Sequence, residues 1–201
     1  MSVSESVPRA ILTRSQAARR ARVIAAAMAL ASEGGYDAVQ MRDVASTAQV
    51  ALGTIYRYFS SKDHVLAATL VEWTRDLQRR LTQRPPRGDT PADRVVDVLH
   101  RATRSIERNP KLTAAFITAV SAPDSAITEC QAEISDIMVA VLSAAMAGVD
   151  PELAAGVCRV LSHVWFSTLL GWVNGWGNGV DIGEELEVAA RLLLRGEVDR
   201  G

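Results

Sequence analysis

Thr54, Tyr56, Arg57, Tyr58 and Lys62 place three hydroxyls, a guanidinium and an ammonium within nine residues of one another. Hydroxyls and ammonium groups donate to phosphate oxygens. An arginine bonds phosphate, or grips the edge of guanine through two N–H groups. This is the chemistry of nucleic-acid contact and breaks no bond. The same residues also fit a blander arrangement, with both tyrosines half-buried at a helix seam and Lys62 simply solvated. Lys62 falls in the first turn of a helix capped by Ser60 or Ser61, where the helix dipole disfavours a cation. A phosphate at that helix start would share the backbone N–H groups with the ammonium.

The rest of the chain offers no catalytic constellation. His64, His100 and His163 have no Glu-x-x-His partner, so a di-iron bundle is unsupported. No Gly-x-Ser-x-Gly elbow or phosphate-cradling glycine loop is present. The run NGWGNG at 174–179 follows a helix, not a strand. Glu129, Glu133 and Asp136 share neighbouring turns of one helix and read as a solvated acidic face, with no metal expected. His163, in an apolar helix, reads as a satisfied core histidine. Cys130 and Cys158 lack metal-ligand spacing and read as buried free thiols. No cofactor is expected, and the chain is not read as an enzyme.

Two short helices carry the candidate contacts. In the first, 41–48, Val44 and Ala48 fall four apart on one side. In the second, starting near Leu52, Ile55 and Phe59 do the same. Thr54, Tyr56, Arg57 and Tyr58 then point mainly outward. Helices this short need a third to pack on, and 15–34 supplies one, with Val23, Ala27, Leu30 and Ala31 on its buried face. Helix, tight turn and exposed second helix is the helix-turn-helix arrangement, whose second helix enters the major groove.

Gly53-Thr54-Ile55-Tyr56-Arg57-Tyr58-Phe59 followed by Lys62 closely resembles the DNA-binding signature of TetR-family transcriptional repressors. Gly34-Gly35-Tyr36 and Met41-Arg42-Asp43-Val44-Ala45 match the same family's helix end and helix start. The resemblance implies DNA contacts from Arg42, Gly53, Thr54, Tyr56, Arg57, Tyr58 and Lys62. Met41 stands where the family usually has a Thr or Ser N-cap, leaving Gln40 or water to satisfy those N–H groups. Arg108-Asn109-Pro110 with Leu112-Thr113, and Val164-Trp165 with Ser167, Leu169-Leu170 and Trp172, look like the KstR-type subgroup, repressors of sterol catabolism in actinobacteria. That subgroup shares the methionine. Its members respond to coenzyme A thioesters of sterol-derived acids, so the resemblance implies a small apolar effector, a sterol- or fatty-acyl coenzyme A thioester.

Length and charge agree with a head and a body. The chain has 201 residues, 48% of them hydrophobic, and a net charge of −1. Residues 1–62 hold 8 Lys+Arg against 4 Asp+Glu, and the remainder 14 against 19. A basic head on an acidic body fits a nucleic-acid module joined to something else. The expected division is a flexible arm at 1–13, a DNA-binding domain at 14–62, and a helical ligand-binding and dimerisation domain at 63–201. No signal peptide is read at the start, and the apolar stretch 153–173 reads as a buried helix rather than a membrane span. The protein is placed in the cytoplasm.

The expected fold is all-α, with nine helices in a TetR-like architecture. After the head, a long helix to about Arg84 connects to the body. Thr90-Pro91, Asn109-Pro110, Pro123-Asp124, Asp150-Pro151 and Asp181 each open a further helix. Trp73, Leu77, Phe116, Ile117, Val120, Met138, Leu142, Trp165 and Phe166 sit on four of these helices. Spacing alone fits either an ordinary core or the wall of a pocket; the family resemblance implies a cavity in this domain. The helix from Pro151 is apolar on two nearly opposite faces. The smaller face includes Val160, Val164, Ser167 and Gly171. With Leu186, Ala190 and Leu193 of the last helix it forms the expected homodimer interface. The partners are double-stranded operator DNA, the effector and a second copy. Two other classes stay open on residues alone: a helical acyl or sterol carrier with a vestigial DNA head, and a helical-bundle enzyme, which the missing nucleophile and ligand patterns count against.

Overall fold

A computed structural model describes residues 13–176 and 181–196. Among the described residues there are nine α-helices and no strand. They are α1 (Arg14–Ala38), α2 (Met41–Ala48), α3 (Leu52–Tyr56), α4 (Lys62–Gln83), α5 (Pro91–Glu107), α6 (Pro110–Val120), α7 (Ser125–Ala145), α8 (Pro151–Val173) and α9 (Ile182–Leu193). The expected arm lies outside the described residues except for Thr13, as does the end of the NGWGNG break.

Helix starts follow side-chain chemistry. Thr13, Ser61, Thr90, Asn109, Asp124, Asp150 and Asp181 each accept a hydrogen bond from a backbone N–H of the first turn. That satisfies donors the helix itself cannot. Thr13 with Gln16 and Thr90 with Asp93 complete reciprocal capping boxes. Helices α2 and α3 lack such a cap; that of α3 is Ala51, which has no side-chain acceptor. In α2 the N-cap is Gln40, which makes no side-chain cap bond and instead donates from Nε2 to Asp37 O at 3.0 Å. Asp43 in the first turn supplies the negative charge that end favours.

Gly34 does not end α1. The chain breaks at Gly35, where φ is 73°, and resumes helical geometry to Ala38. Glycine adopts this left-handed backbone without the Cβ penalty. From α6, Lys111 Nζ donates to Glu33 O at 2.9 Å, covering a carbonyl next to the break. The kink sends Tyr36 back toward the start of α4.

Two apolar cores share α4. One holds Val23, Ala27, Val44, Ile55, Phe59 and Leu66, with Leu112, Phe116 and Val120 of α6 and Ile127 of α7. The other joins the later part of α4 to α5, α7, α8 and α9 through Leu77, Leu99, Leu142, Leu161, Leu186 and Ala190. A division at 62/63 therefore does not coincide with a gap in packing. The core of the head continues into the start of α4 and into α6.

Helix α8 is long and apolar enough by itself to cross a membrane. In the fold it packs on α6, α7 and α9 with Val157, Cys158, Leu161 and Leu169 buried. The other half of its circumference faces out, and His163 is among the exposed residues, not in the core. Its apolar neighbours in sequence concealed a position turned away from the core. In α9, Leu186 and Ala190 are fully buried in the protomer's own core. They are unavailable to a second subunit, contrary to the sequence expectation, because α9 uses that stripe to close α5 and α8. Its exposed apolar residues are Val188 and Leu192, four apart on the other side.

Candidate functional site

The reading edge is built by α2, a turn and α3. Gln49 takes the left-handed conformation, φ 54°, as the C-cap of α2. Val50 N–H returns to Ala45 O at 3.1 Å, closing the turn. Ile55 and Phe59 are buried and anchor α3. Arg42, Gly53, Tyr56 and Arg57 are exposed.

Three residues sit differently from the sequence expectation. Helix α3 has only five residues, so Arg57 is its C-cap and not part of its outer face. Tyr58 is half-buried, because both its N–H and that of Phe59 bond to Ile55 O. This tight exit turns its ring edge-on to Phe59, with centroids 6.3 Å apart. Thr54 is half-buried as well.

Lys62 opens α4 as expected, with Ser61 rather than Ser60 as the cap: its Oγ accepts from His64 N–H at 3.1 Å. The ammonium is not simply solvated. Nζ lies 3.7 Å from the centroid of the Tyr36 ring, a cation–π contact. The Tyr36 hydroxyl donates to Asp63 Oδ1 at 2.6 Å. Burial, then the Asp63 carboxylate, pushes the Tyr36 pKa up to about 12. Sequence spacing held no sign of this contact, since Tyr36 is 26 residues upstream and arrives through the Gly35 kink.

His64, one turn into α4, packs edge-on to Phe59 at 5.3 Å. Its Nδ1 accepts the Ser60 N–H at 3.1 Å, which fixes the neutral Nε2–H tautomer. Burial, opposed in part by Asp124, lowers its pKa, and Arg20 adds to the lowering.

The body holds a cavity of about 420 Å³. All nine residues expected to line a pocket face it: Trp73 and Leu77 from α4, Phe116, Ile117 and Val120 from α6, Met138 and Leu142 from α7, Trp165 and Phe166 from α8. Sequence reasoning missed Leu70 and Thr74, Ile134, and Leu161 and Leu169. Each lies three or four residues from one it named, the spacing of a shared helix face. It also missed the wall from α5, Leu99 and Ile106, for which bulky aromatics gave no signal.

No Asp, Glu, Lys, Arg or His lines the cavity. The Thr74 and Thr113 hydroxyls are spent on the carbonyls of Leu70 and Ile106, at 2.9 and 3.0 Å. An occupant is therefore apolar and uncharged where it lies in the protein. Phe166 and Ser162 of α8, with Gln131 and Ser135 of α7, are exposed and mark its solvent side. Among the described residues no His, Cys, Asp and Glu group could hold a metal ion. The acidic face of α7 is not wholly solvated, since Glu133 pairs with Arg75.

Residues 23–69 match the N-terminal domain described as bacterial regulatory proteins, tetR family, and 88–193 match the tetracyclin repressor-like C-terminal domain. The chain belongs to the TetR family. Among curated proteins this TetR-family chain is 38% identical to the transcriptional repressor KstR of Rhodococcus jostii, over 90% of this chain and 85% of that one. It is 36% identical to KstR of Mycobacterium tuberculosis, over 90% and 83%. A TetR regulator from Rhodococcus sp. RHA1 superposes with a TM-score of 0.81 at 31% identity, covering 94% of this chain and all of that one. Thermus thermophilus FadR, a TetR-family repressor solved with lauroyl-CoA, gives 0.62 at 26%, covering 90% and 96%. The protein is a DNA-binding transcriptional repressor, as the KstR relatives are, and not an enzyme. TetR-family repressors dimerise and bind operator DNA, and the carrier reading is not favoured.

Proposed function

We propose that this repressor is released from its operator by an apolar acyl effector, a sterol- or fatty-acyl coenzyme A thioester. The acyl or sterol part would occupy the cavity, and the polar coenzyme part would stay on the solvent side. The observation that carries the reading is the uncharged cavity walled by α4, the helix whose first residue is Lys62. Its volume of about 420 Å³ falls within the roughly 300–1,000 Å³ of small-molecule sites. FadR with lauroyl-CoA shows that a TetR-family repressor accommodates such a ligand. An occupant wedged against Trp73 would tilt α4, and release follows only if the ligand binds that tilted arrangement better.

The test is a titration of the protein bound to a duplex it has itself selected from a random pool. Sterol-acyl and long-chain fatty-acyl thioesters are expected to dissociate the complex. Trp73→Ala should weaken the response and leave affinity without effector nearly intact. Release by a small polar metabolite, with neither thioester active, would overturn the effector class.

In the same reading, residues 14–62 serve as the DNA head and 63–201 as the ligand and dimer body, acting in the cytoplasm. Lys62 leaves the Tyr36 ring for a phosphate, Tyr56 and Arg42 flank it, and Arg57 contacts a base or phosphate. Removing the cation from one phosphate lowers the slope of log affinity against log salt by about 0.9. Lys62→Ala in a two-fold dimer should therefore lower the slope by about 2 and keep sequence preference. Affinity for selected and scrambled duplexes across a salt series measures both, and an unchanged slope with unchanged affinity removes Lys62 from the interface.

A further inference from the structure

Four charged side chains run between the cavity wall and the reading edge. Arg20 of α1 pairs with Glu72 of α4, Nη1 to Oε1, at 3.4 Å. The same Glu72 oxygen also receives Nη1 of Arg75. The second terminal nitrogen of Arg75 pairs with Glu133 of α7. All four side chains are between 20% and 34% exposed, so solvent only partly screens the chain.

The two ends of this chain meet the two functional regions. Glu133 precedes Ile134, which lines the cavity with Met138 on the same helix. At the other end the Arg20 guanidinium lies over the Phe59 ring, 5.5 Å from its centroid. Phe59 is 1% exposed and its N–H bonds to Ile55 O of the reading helix at 2.9 Å. Since Arg20 and Arg75 share one carboxylate oxygen of Glu72, whatever alters the hold of Glu133 on Arg75 alters what Glu72 offers Arg20.

We propose that Arg20 is a positioning residue for operator binding, set from the cavity wall through Glu133, Arg75 and Glu72. An occupant that shifts α7 away from α4 weakens Arg75–Glu133, draws Glu72 toward Arg75, and loosens Arg20 from its place over Phe59. The inference rests on the reading of the protein as an effector-released repressor, and goes beyond it by naming the route.

The test needs no effector. Full-length variants are compared for affinity to the duplex selected by the wild type, with thermal midpoints measured alongside. Glu133→Gln is expected to weaken operator binding about three- to tenfold, the scale on which remote network residues act. This sign opposes simple electrostatics, in which removing an acidic charge from a DNA-binding protein strengthens binding. Glu72→Gln should weaken binding similarly, and the double variant should be no weaker than Glu72→Gln alone, because the chain is already cut. Arg75→Met, which leaves Glu72 wholly to Arg20, should keep or raise affinity although it removes a positive charge. It also serves as the second variant should Glu133→Gln lower the thermal midpoint. Unchanged or stronger binding by Glu133→Gln, multiplying effects in the double variant, or weaker binding by Arg75→Met overturns the route and leaves the repressor reading standing. A wild-type protein that selects no duplex overturns that reading itself.

Discussion

Gly171→Arg is expected to give a folded monomer whose operator affinity falls at least about a hundredfold, the low end of what bivalent attachment contributes. A Cβ at Gly171 would meet nothing within 4 Å, so the protomer has room for the new side chain. Val160, Val164 and Ser167 share that face of α8, roughly opposite the cavity-lining Leu161, Trp165 and Leu169. Val160 is 40% exposed in the protomer, which suits a face covered by a second copy. An arginine from each subunit would meet near a two-fold axis, placing two unpaired cations in an apolar seam. A monomer holds one half-site, and the second reading helix no longer benefits from attachment of the first. Sedimentation velocity reads the oligomeric state, and a fully dimeric variant would show that the interface uses another face. Leu192→Arg on α9, at a position 62% exposed, tests the neighbouring helix, where Leu186 and Ala190 are already committed to the core.

The difference between α8 and α9 shows what helical periodicity carries. A stripe at i, i+4, i+7 marks a face that is covered, and says nothing of whether the cover is the same chain or another. Leu186, Ala190 and Leu193 form the stronger stripe of α9, and the protomer's own α5 and α8 claim it. Val188 and Leu192, flanked by Glu184, Glu185 and Arg191, are the apolar residues α9 leaves exposed. His163 misled for the converse reason: mean apolarity of a segment does not assign a face to one position.

Helix starts were legible because capping is local. Thr90-Pro91, Asn109-Pro110 and Asp150-Pro151 each place an oxygen acceptor before a proline whose missing N–H costs nothing at the first helical position. The cavity wall was legible in part because aromatic and large aliphatic residues recurred at helical spacing on α4, α6, α7 and α8. The contribution of α5 was hidden, since Leu99 and Ile106 look like any core leucine and isoleucine. The Tyr36–Lys62 contact and the Arg20–Glu133 chain join residues far apart in sequence. Only the tertiary fold brings them together, and single-sequence spacing carries no trace of it.

Phe59→Ala is expected to lower stability by about 3–5 kcal/mol, the usual range for deleting a fully buried phenyl ring. Phe59 is 1% exposed, and its ring makes T-shaped contacts with the Tyr58 and His64 rings and lies under the Arg20 guanidinium. Deletion leaves a cavity beneath the exit of the reading helix, which at five residues cannot hold itself together. Phe59→Leu retains most of the volume and should cost about 1–2 kcal/mol, on the scale of a volume-conserving core swap. For a chain of this length the alanine variant should lower the thermal midpoint by about 10 °C. The shape of the transition is as informative as its midpoint. The core around Phe59 continues into Leu112, Phe116 and Val120 of α6, so the substitution should move one cooperative transition by calorimetry and far-UV circular dichroism alike. A separate early transition confined to the head would mean that residues 14–62 unfold on their own, and that α6 adds little to their stability. A midpoint lowered by less than about 2 °C, equivalent to under roughly 1 kcal/mol, would mean that Phe59 is not the anchor of the reading helix.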